Sequence, residues 1–306
     1  MRQVILDCDP GIDDALAIFT LLAEPDVAVL GMCATVGNVP VDIGYRNLRN
    51  LAAFTGRSDV PVFRGAELPL VRGYAFDPLV HGEDGLGGAE LPESSAPVQT
   101  ENAVIATCRM LHEAPGNVTW IATGPLTNVA LALRLDPSIR EKVDRLVVMG
   151  GSTLRGNITP VAEFNVWADA EAWRVAVESG VPLTMVGLNV THQVACSKED
   201  YAEIRRMPGK VAQAADRMLA YYEEVYRRQG WGEAKLHDVV AVLEAIQPGI
   251  CGTVPCSVAV ETASALTYGQ TVVDDRAKIE DANCDVAMAV DAGAVRRSML
   301  SAIASF

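Results

Sequence analysis

The chain has 306 residues, half of them hydrophobic, enough for one large core or two modest ones. Its formal net charge of −14 opposes binding to a polyanion such as nucleic acid and favours a small neutral or cationic ligand. No apolar run reaches membrane-spanning length, no signal-peptide pattern opens the chain, and the seven cysteines show neither C-x-x-C pairs nor framework spacing. The expectation is a cytoplasmic protein with free, mostly buried thiols and one domain over residues 1–306, without linkers or repeats.

The first local signal opens the chain. Residues 4–6 read as a buried strand, and apolar residues from Ala15 to Leu22 fall at helical spacing, so residues 9–14 occupy the turn between them. Pro10 suits a first helical turn and Gly11 relaxes the backbone beside it. Asp7, Asp9, Asp13 and Asp14 crowd this stretch. Asp13 and Asp14 at a helix N-terminus serve either as caps or, with Asp9, as an oxygen-only cluster that a hard divalent ion, Ca²⁺ or Mg²⁺, would neutralise. Asp9 precedes the turn, which capping does not require. Cys8 is expected to point away from its acidic neighbours, because side chains alternate along a strand.

Strand-like runs at 27–34, 60–63, 118–122, 146–149 and 183–188 then alternate with helical patterns near 43–54, 103–111, 126–135 and 170–177. This alternation predicts an α/β fold, a mostly parallel, Rossmann-like open sheet with helices on both faces. The last third reads as helix-rich, with helices over 211–228 and 239–246, short strands near 254–261 and 285–290, and a closing helix from about residue 292. Ligands of such sheets sit beyond the carboxyl ends of the strands. There the chain places Asp9; Thr35, Gly37 and Asn38; Thr123-Gly124-Pro125; Gly150-Gly151; and Asn189, Thr191 and His192. Each set alone is ordinary loop chemistry, but their recurrence at one sheet edge predicts a pocket.

Two loops and two helices add candidates. Residues 77–88 carry His81 and then four glycines in seven positions, the composition of a lid or of a tight surface turn. Residues 156–165 interleave Asn157, Glu163 and Asn165 with apolar side chains, groups that bond either loop backbone or the hydroxyls of a sugar. His237-Asp238 opens a helix, an imidazole that titrates near neutral pH beside a carboxylate that is also a cap. Tyr221, Tyr222 and Tyr226 form an aromatic stripe that reads as core.

Taken together, Asp7-Cys8-Asp9-Pro10-Gly11-Ile12-Asp13-Asp14-Ala15, Ala122-Thr123-Gly124-Pro125-Leu126-Thr127-Asn128, Met149-Gly150-Gly151, the segment from Asn157 to Asn165, Val190-Thr191-His192 and Leu236-His237-Asp238 resemble the inosine-uridine preferring nucleoside hydrolases, in the family's order over nearly the whole chain. The resemblance implies Ca²⁺-dependent hydrolysis of the N-glycosidic bond of a small-molecule ribonucleoside by a homodimer or homotetramer. By that resemblance Asp9, Asp14, Asp238 and the Thr123 carbonyl hold the ion, and Asp9 takes a proton from the attacking water. Asp13 and Asn38 bind the 2′-hydroxyl, Asn165 and Asp238 the 3′-hydroxyl, and Asn157 and Glu163 the 5′-hydroxyl. His237 lies near the departing base, and His81 belongs to the base pocket with candidates from Tyr221, Val225, Gln229 and Trp231.

Asp-Cys-Asp-Pro-Gly in place of Asp-Thr-Asp-Pro-Gly, and Trp231-Gly232 shortly before Leu236-His237-Asp238, resemble pyrimidine-preferring members, although the segment between Trp231 and His237 is shorter than theirs. Purine or non-specific preference stays open, as does a non-catalytic ribose- or nucleoside-binding role. A phosphatase of the haloacid dehalogenase type also places a nucleophilic Asp after its first strand, but Pro10-Gly11-Ile12-Asp13-Asp14 does not continue that motif.

Overall fold

The computed structural model describes residues 1–306 apart from Ala75 and Asp77, so the first position of the predicted 77–88 loop lies outside the described residues. β1 (Arg2–Cys8) pairs in parallel with β2 (Val27–Ala34) on one side and with β4 (Val118–Ala122) on the other. β3 (Val62–Arg64) extends the sheet beyond β2. Beyond β4 follow β5 (Val143–Met149), β6 (Leu183–Val186) and, out of sequence order, β9 (Cys284–Val290), all parallel. β7 (Cys251–Val260) and β8 (Thr271–Asp274) close this edge antiparallel, giving the order β3-β2-β1-β4-β5-β6-β9-β7-β8. The chain thus runs outward both ways from the β1/β4 boundary, the switch point at which open α/β sheets form their ligand crevice.

Alternation along β1 sorts the core. Val4, Leu6 and Cys8 join the face covered by α1 (Ile12–Leu22), α2 (Val41–Phe54), α9 (Lys210–Gln229), α10 (His237–Ile246) and α11 (Ala292–Ala304), and Ile5 joins the face of α3 (Ala103–Glu113), α4 (Thr127–Leu135) and α6 (Ala170–Glu178). Every residue of α1 is buried, as its nearly unbroken apolar sequence requires. Each buried Leu, Ile or Phe contributes about 1.5–3 kcal/mol, so the helix anchors Asp13 and Asp14 in its first turn against their cost of desolvation.

The expected fold class and most elements are present, with four differences. The predicted strand 183–188 ends at Val186, and α7 (Leu188–Thr191) follows, its first N–H docked on Gly151 O. Asn165 lies on a short helix, α5 (Phe164–Ala168), capped by Glu163, rather than in a loop. α8 (Lys198–Ile204) is fixed by a capping box between Ser197 and Asp200, and β8 is a strand of four residues. The glycine-rich segment has the geometry of a tight turn, one of its two expected forms: Gly82, Gly85, Gly87 and Gly88 all have positive φ, Asp84 accepts the N–H groups of Leu86 and Gly88, and Leu86 and Ala89 are buried.

Candidate active site

The carboxyl ends of β1, β2 and β4 meet over the first turn of α1. Asp9, just past β1, is fully buried; its Oδ2 accepts the Asn38 backbone N–H at 2.6 Å, and its Oδ1 has no hydrogen-bond partner among the described residues. Asp14 is held on both oxygens, Oδ1 by the Thr123 hydroxyl at 2.7 Å and Oδ2 by Gly11 N–H at 2.9 Å and the Asn38 amide at 3.3 Å. Asp238, in the first turn of α10, completes the group. One carboxylate oxygen from each of Asp13, Asp14 and Asp238 lies within 4.8 Å of the others, and Asp13 Oδ1 is buried without a hydrogen-bond partner among the described residues. The Asn165 amide donates to the carbonyls of Thr123 at 2.7 Å and Met149 at 3.2 Å, tying α5 to the ends of β4 and β5.

These carboxylates cannot all stay ionised in so dry a place without positive charge. Burial, then the Asp14 charge, holds Asp9 well above the ordinary carboxylate range and pushes Asp13 up to about 8. Burial also raises Asp14, and burial with the charges of Asp13, Asp14 and Asp9 raises Asp238 strongly. The donor set is oxygen only and carries orphan acceptors. Such a set fits a hard divalent cation, since ions that favour imidazole or thiolate would draw in nitrogen or sulfur.

Two histidines stand beside the cluster. His81 Nδ1 accepts the Ile12 N–H at 3.1 Å, and its ring stacks on Tyr222 with centroids 5.7 Å apart. Tyr222 packs edge-on against Tyr226, and Tyr226 against the half-exposed Trp231. His237, the first residue of α10, bonds through Nδ1 to the Thr191 hydroxyl at 2.7 Å, and His192 meets its ring edge-on at 5.6 Å. Burial lowers His81 to about 4; burial, then His192 and Lys235, lowers His237 to about 3.

Residues 4–297 match the family model described as inosine-uridine preferring nucleoside hydrolase. The chain belongs to the inosine-uridine preferring nucleoside hydrolases. It is similar to the pyrimidine-specific ribonucleoside hydrolase RihA of Shewanella baltica, 40% identical over 275 residues that cover 89% of this chain and 86% of the relative. It is 41% identical to the protein of that name from Citrobacter koseri, over 89% of this chain and 88% of the relative. Among solved structures, the purine-preferring ribonucleoside hydrolase from Gardnerella vaginalis superposes with a TM-score of 0.94 at 30% identity, over 99% of this chain and 98% of that one. The protein is therefore a nucleoside hydrolase, a hydrolase acting on N-glycosyl compounds.

Within this nucleoside hydrolase, Asp9, Asp13, Asp14, Asn38, Thr123, Asn165 and Asp238 are joined by the hydrogen bonds and carboxylate contacts just given. Glu163 is buried, accepts the N–H groups of Gly151, Asn165 and Val166, and is pushed by burial to about 7. Asn157 is exposed, and its side-chain oxygen accepts the Phe164 N–H. Tyr222 and Tyr226 are core, as expected, yet Tyr222 is also the platform for His81. Sequence reasoning missed Tyr74, whose hydroxyl donates to Gly37 O at 2.9 Å, because a single loop tyrosine carries no signal. It also missed the role of Asn128, whose amide nitrogen donates to Asp7 Oδ2 and Ala34 O and whose oxygen accepts Ala66 N–H. For Asn128 its place at the end of the Ala122–Asn128 motif was the only signal available.

Proposed function

We propose that this enzyme hydrolyses the N-glycosidic bond of ribonucleosides, pyrimidine nucleosides by preference, to ribose and free base, with Ca²⁺ in the acidic cluster. The observation that carries the proposal is the buried set of Asp13, Asp14 and Asp238 oxygens within 4.8 Å, beside the unpartnered Oδ1 atoms of Asp9 and Asp13. Asp9, Asp14, Asp238 and the Thr123 carbonyl would hold the ion; that carbonyl keeps a second lone pair beside its bond from Asn165. When bound, the cation neutralises the carboxylates and activates water as a nucleophile.

The chain's own groups supply the rest. The Asn38 N–H fixes one oxygen of Asp9, leaving Oδ1 to take the proton of the attacking water. Asp13 and Asn38 receive the 2′-hydroxyl, Asn165 and Asp238 the 3′-hydroxyl, and Asn157 with Glu163 the 5′-hydroxyl. As the C1′–N bond breaks, its electron pair goes to the base and positive charge grows on the ribose, where the carboxylates stabilise it. His237 gives a proton or hydrogen bond to the departing base, whose growing negative charge favours the protonated ring. The 40% identity to relatives named pyrimidine-specific supports the base preference, together with Asp7-Cys8-Asp9 and Trp231-Gly232.

Reducing-sugar release from uridine, cytidine, inosine and adenosine tests the proposal, with Asp9→Ala and EGTA-treated protein in parallel. Ribose release led by the pyrimidines and abolished by both treatments is expected. Stoichiometric nucleoside binding without any free base would overturn it in favour of a binding role, and faster release from inosine and adenosine would overturn the pyrimidine preference.

A further inference from the structure

We infer that Thr191 is the positioning residue of His237 and that its hydroxyl assigns the ring hydrogen to Nε2. This rests on the reading of His237 as donor to the departing base. Thr191 is fully buried at the end of α7, and among the described residues the only hydrogen bond of its hydroxyl is the one at 2.7 Å to His237 Nδ1. Among the described residues no hydrogen bond is made at His237 Nε2. The bond fixes the ring's rotation, and because the buried hydroxyl hydrogen has no other acceptor among the described residues, donating it to Nδ1 avoids an unsatisfied donor and leaves the ring hydrogen on Nε2.

The partner's chemistry matters because the two site histidines are held differently. His81 Nδ1 faces a backbone N–H, which only donates, so His81 carries its hydrogen on Nε2 and cannot add one at Nδ1 without losing that bond. A hydroxyl serves both states of a ring. It donates to Nδ1 of neutral His237, leaving the hydrogen on Nε2, and it accepts from Nδ1–H when both nitrogens are protonated. In either state Nε2–H is what the base meets. His81 is thereby confined to hydrogen bonding, while His237 alone keeps a partner compatible with gaining and giving a proton. Nothing local in the sequence pairs residue 191 with 237; the docking of α7 against the start of α10 does.

The test compares leaving groups. Uridine needs help to release its base, whereas 4-nitrophenyl riboside releases a stable anion unaided. Misplacing a general acid removes part of its usual 10²- to 10⁴-fold contribution, so Thr191→Val is expected to lower kcat on uridine about 10- to 100-fold and on the nitrophenyl riboside less than about 3-fold. Thr191→Ser should stay within about 3-fold of wild type on both, because it keeps the hydroxyl. Equal losses on the two substrates, or no loss on uridine, would overturn the inference. If His237→Ala itself lowers both substrates equally, the donor reading of His237 fails and the inference falls with it; if His237→Ala is selective and Thr191→Val is not, the inference alone falls. Nitrogen-15 NMR gives a readout apart from activity. Wild-type His237 should show a pyridine-like Nδ1 and a pyrrole-like Nε2 at neutral pH, the pattern also required of His81, and Thr191→Val should blur it for His237 only. A pyrrole-like Nδ1 in wild type would overturn the assignment.

Discussion

Gly37 lies so close against Asp9 that a Cβ on it would stand 1.9 Å from Asp9 Oδ2, and Gly124 on the other side would bring one within 2.6 Å of Oδ1. The carboxylate is thus clamped between two backbone segments, the ends of β2 and β4, with no room to turn. A methyl group at residue 37 forces Asp9 off the Asn38 N–H. Displacing a catalytic group by about 1 Å costs about 10²-fold in rate, so Gly37→Ala should lower kcat on uridine by about that factor while the fold survives. Circular dichroism with steady-state kinetics checks this; a Gly37→Ala enzyme within 3-fold of wild type would show that Asp9 tolerates movement.

Metal removal should read out as stability. The cluster is strained by its own like charges, and an ion binding only the folded state stabilises it by about 2.7 kcal/mol at 100 times its Kd. Addition of Ca²⁺ to EGTA-stripped protein is expected to raise Tm by several degrees. Asp238→Asn, which removes one charge and one ligand, should melt higher than wild type in EGTA yet lose most of the Ca²⁺ response. Differential scanning calorimetry of both proteins, with and without Ca²⁺, settles the point; an unchanged Ca²⁺ shift in Asp238→Asn would remove Asp238 from the ligand set.

The same burial fixes a pH dependence. Burial holds Asp7 and Glu163 near 7 and Asp13 near 8, so the folded protein keeps protons that unfolded carboxyls release near 4. Folded pKa values raised above the unfolded ones mean stability that is lost as pH climbs through them, at up to about 1.4 kcal/mol per pH unit for each group. The depressed histidines, His81 near 4 and His237 near 3, act in the opposite sense only below 6.5, where their unfolded forms take up protons. Between pH 6.5 and 8 the carboxylates act alone, so in EGTA the Tm should fall across that window, and saturating Ca²⁺ should flatten the fall by favouring the ionised forms. A rising Tm in EGTA would mean that the carboxylates are already ionised when folded.

Legibility in the sequence followed the range of the forces. The β–α alternation and the Asp9 to Asp14 turn were visible because burial on both sheet faces and a strand-to-helix turn leave marks within a dozen residues. The recurrence of Gly, Thr and Asn after successive strands located the sheet edge. Pairings across long separations left no such mark. Thr191 with His237, Asn128 with Asp7 and Tyr74 with Gly37 join residues 46, 121 and 37 apart, and only the folded order of the strands brings them together. α5 and α8 escaped because a helix of five or seven residues shows less than two turns of periodicity, although the Ser197 and Asp200 capping box was there to be read.

Sugar discrimination follows from one orphan atom. Among the described residues Asp13 Oδ1 is buried without a hydrogen-bond partner, a costly arrangement unless something arrives to satisfy it, and the 2′-hydroxyl is the group proposed for that place. A 2′-deoxynucleoside leaves that acceptor unpaired in the bound state and withdraws a hydroxyl from the cluster. Sites built to bond a substrate hydroxyl reject analogues lacking it by about 10⁴-fold or more, so kcat/KM for 2′-deoxyuridine should lie at least about 10³-fold below that for uridine. Asp13→Ala separates this cause from general loss of activity. With the acceptor gone, uridine should fall steeply and 2′-deoxyuridine little, narrowing the ratio to about 10-fold or less. Rates from coupled reducing-sugar assays on the four enzyme and substrate pairs decide it. A ratio unchanged by Asp13→Ala would assign the discrimination to the other groups at the 2′ position, Asn38 foremost, whose amide already reaches Asp14 at 3.3 Å.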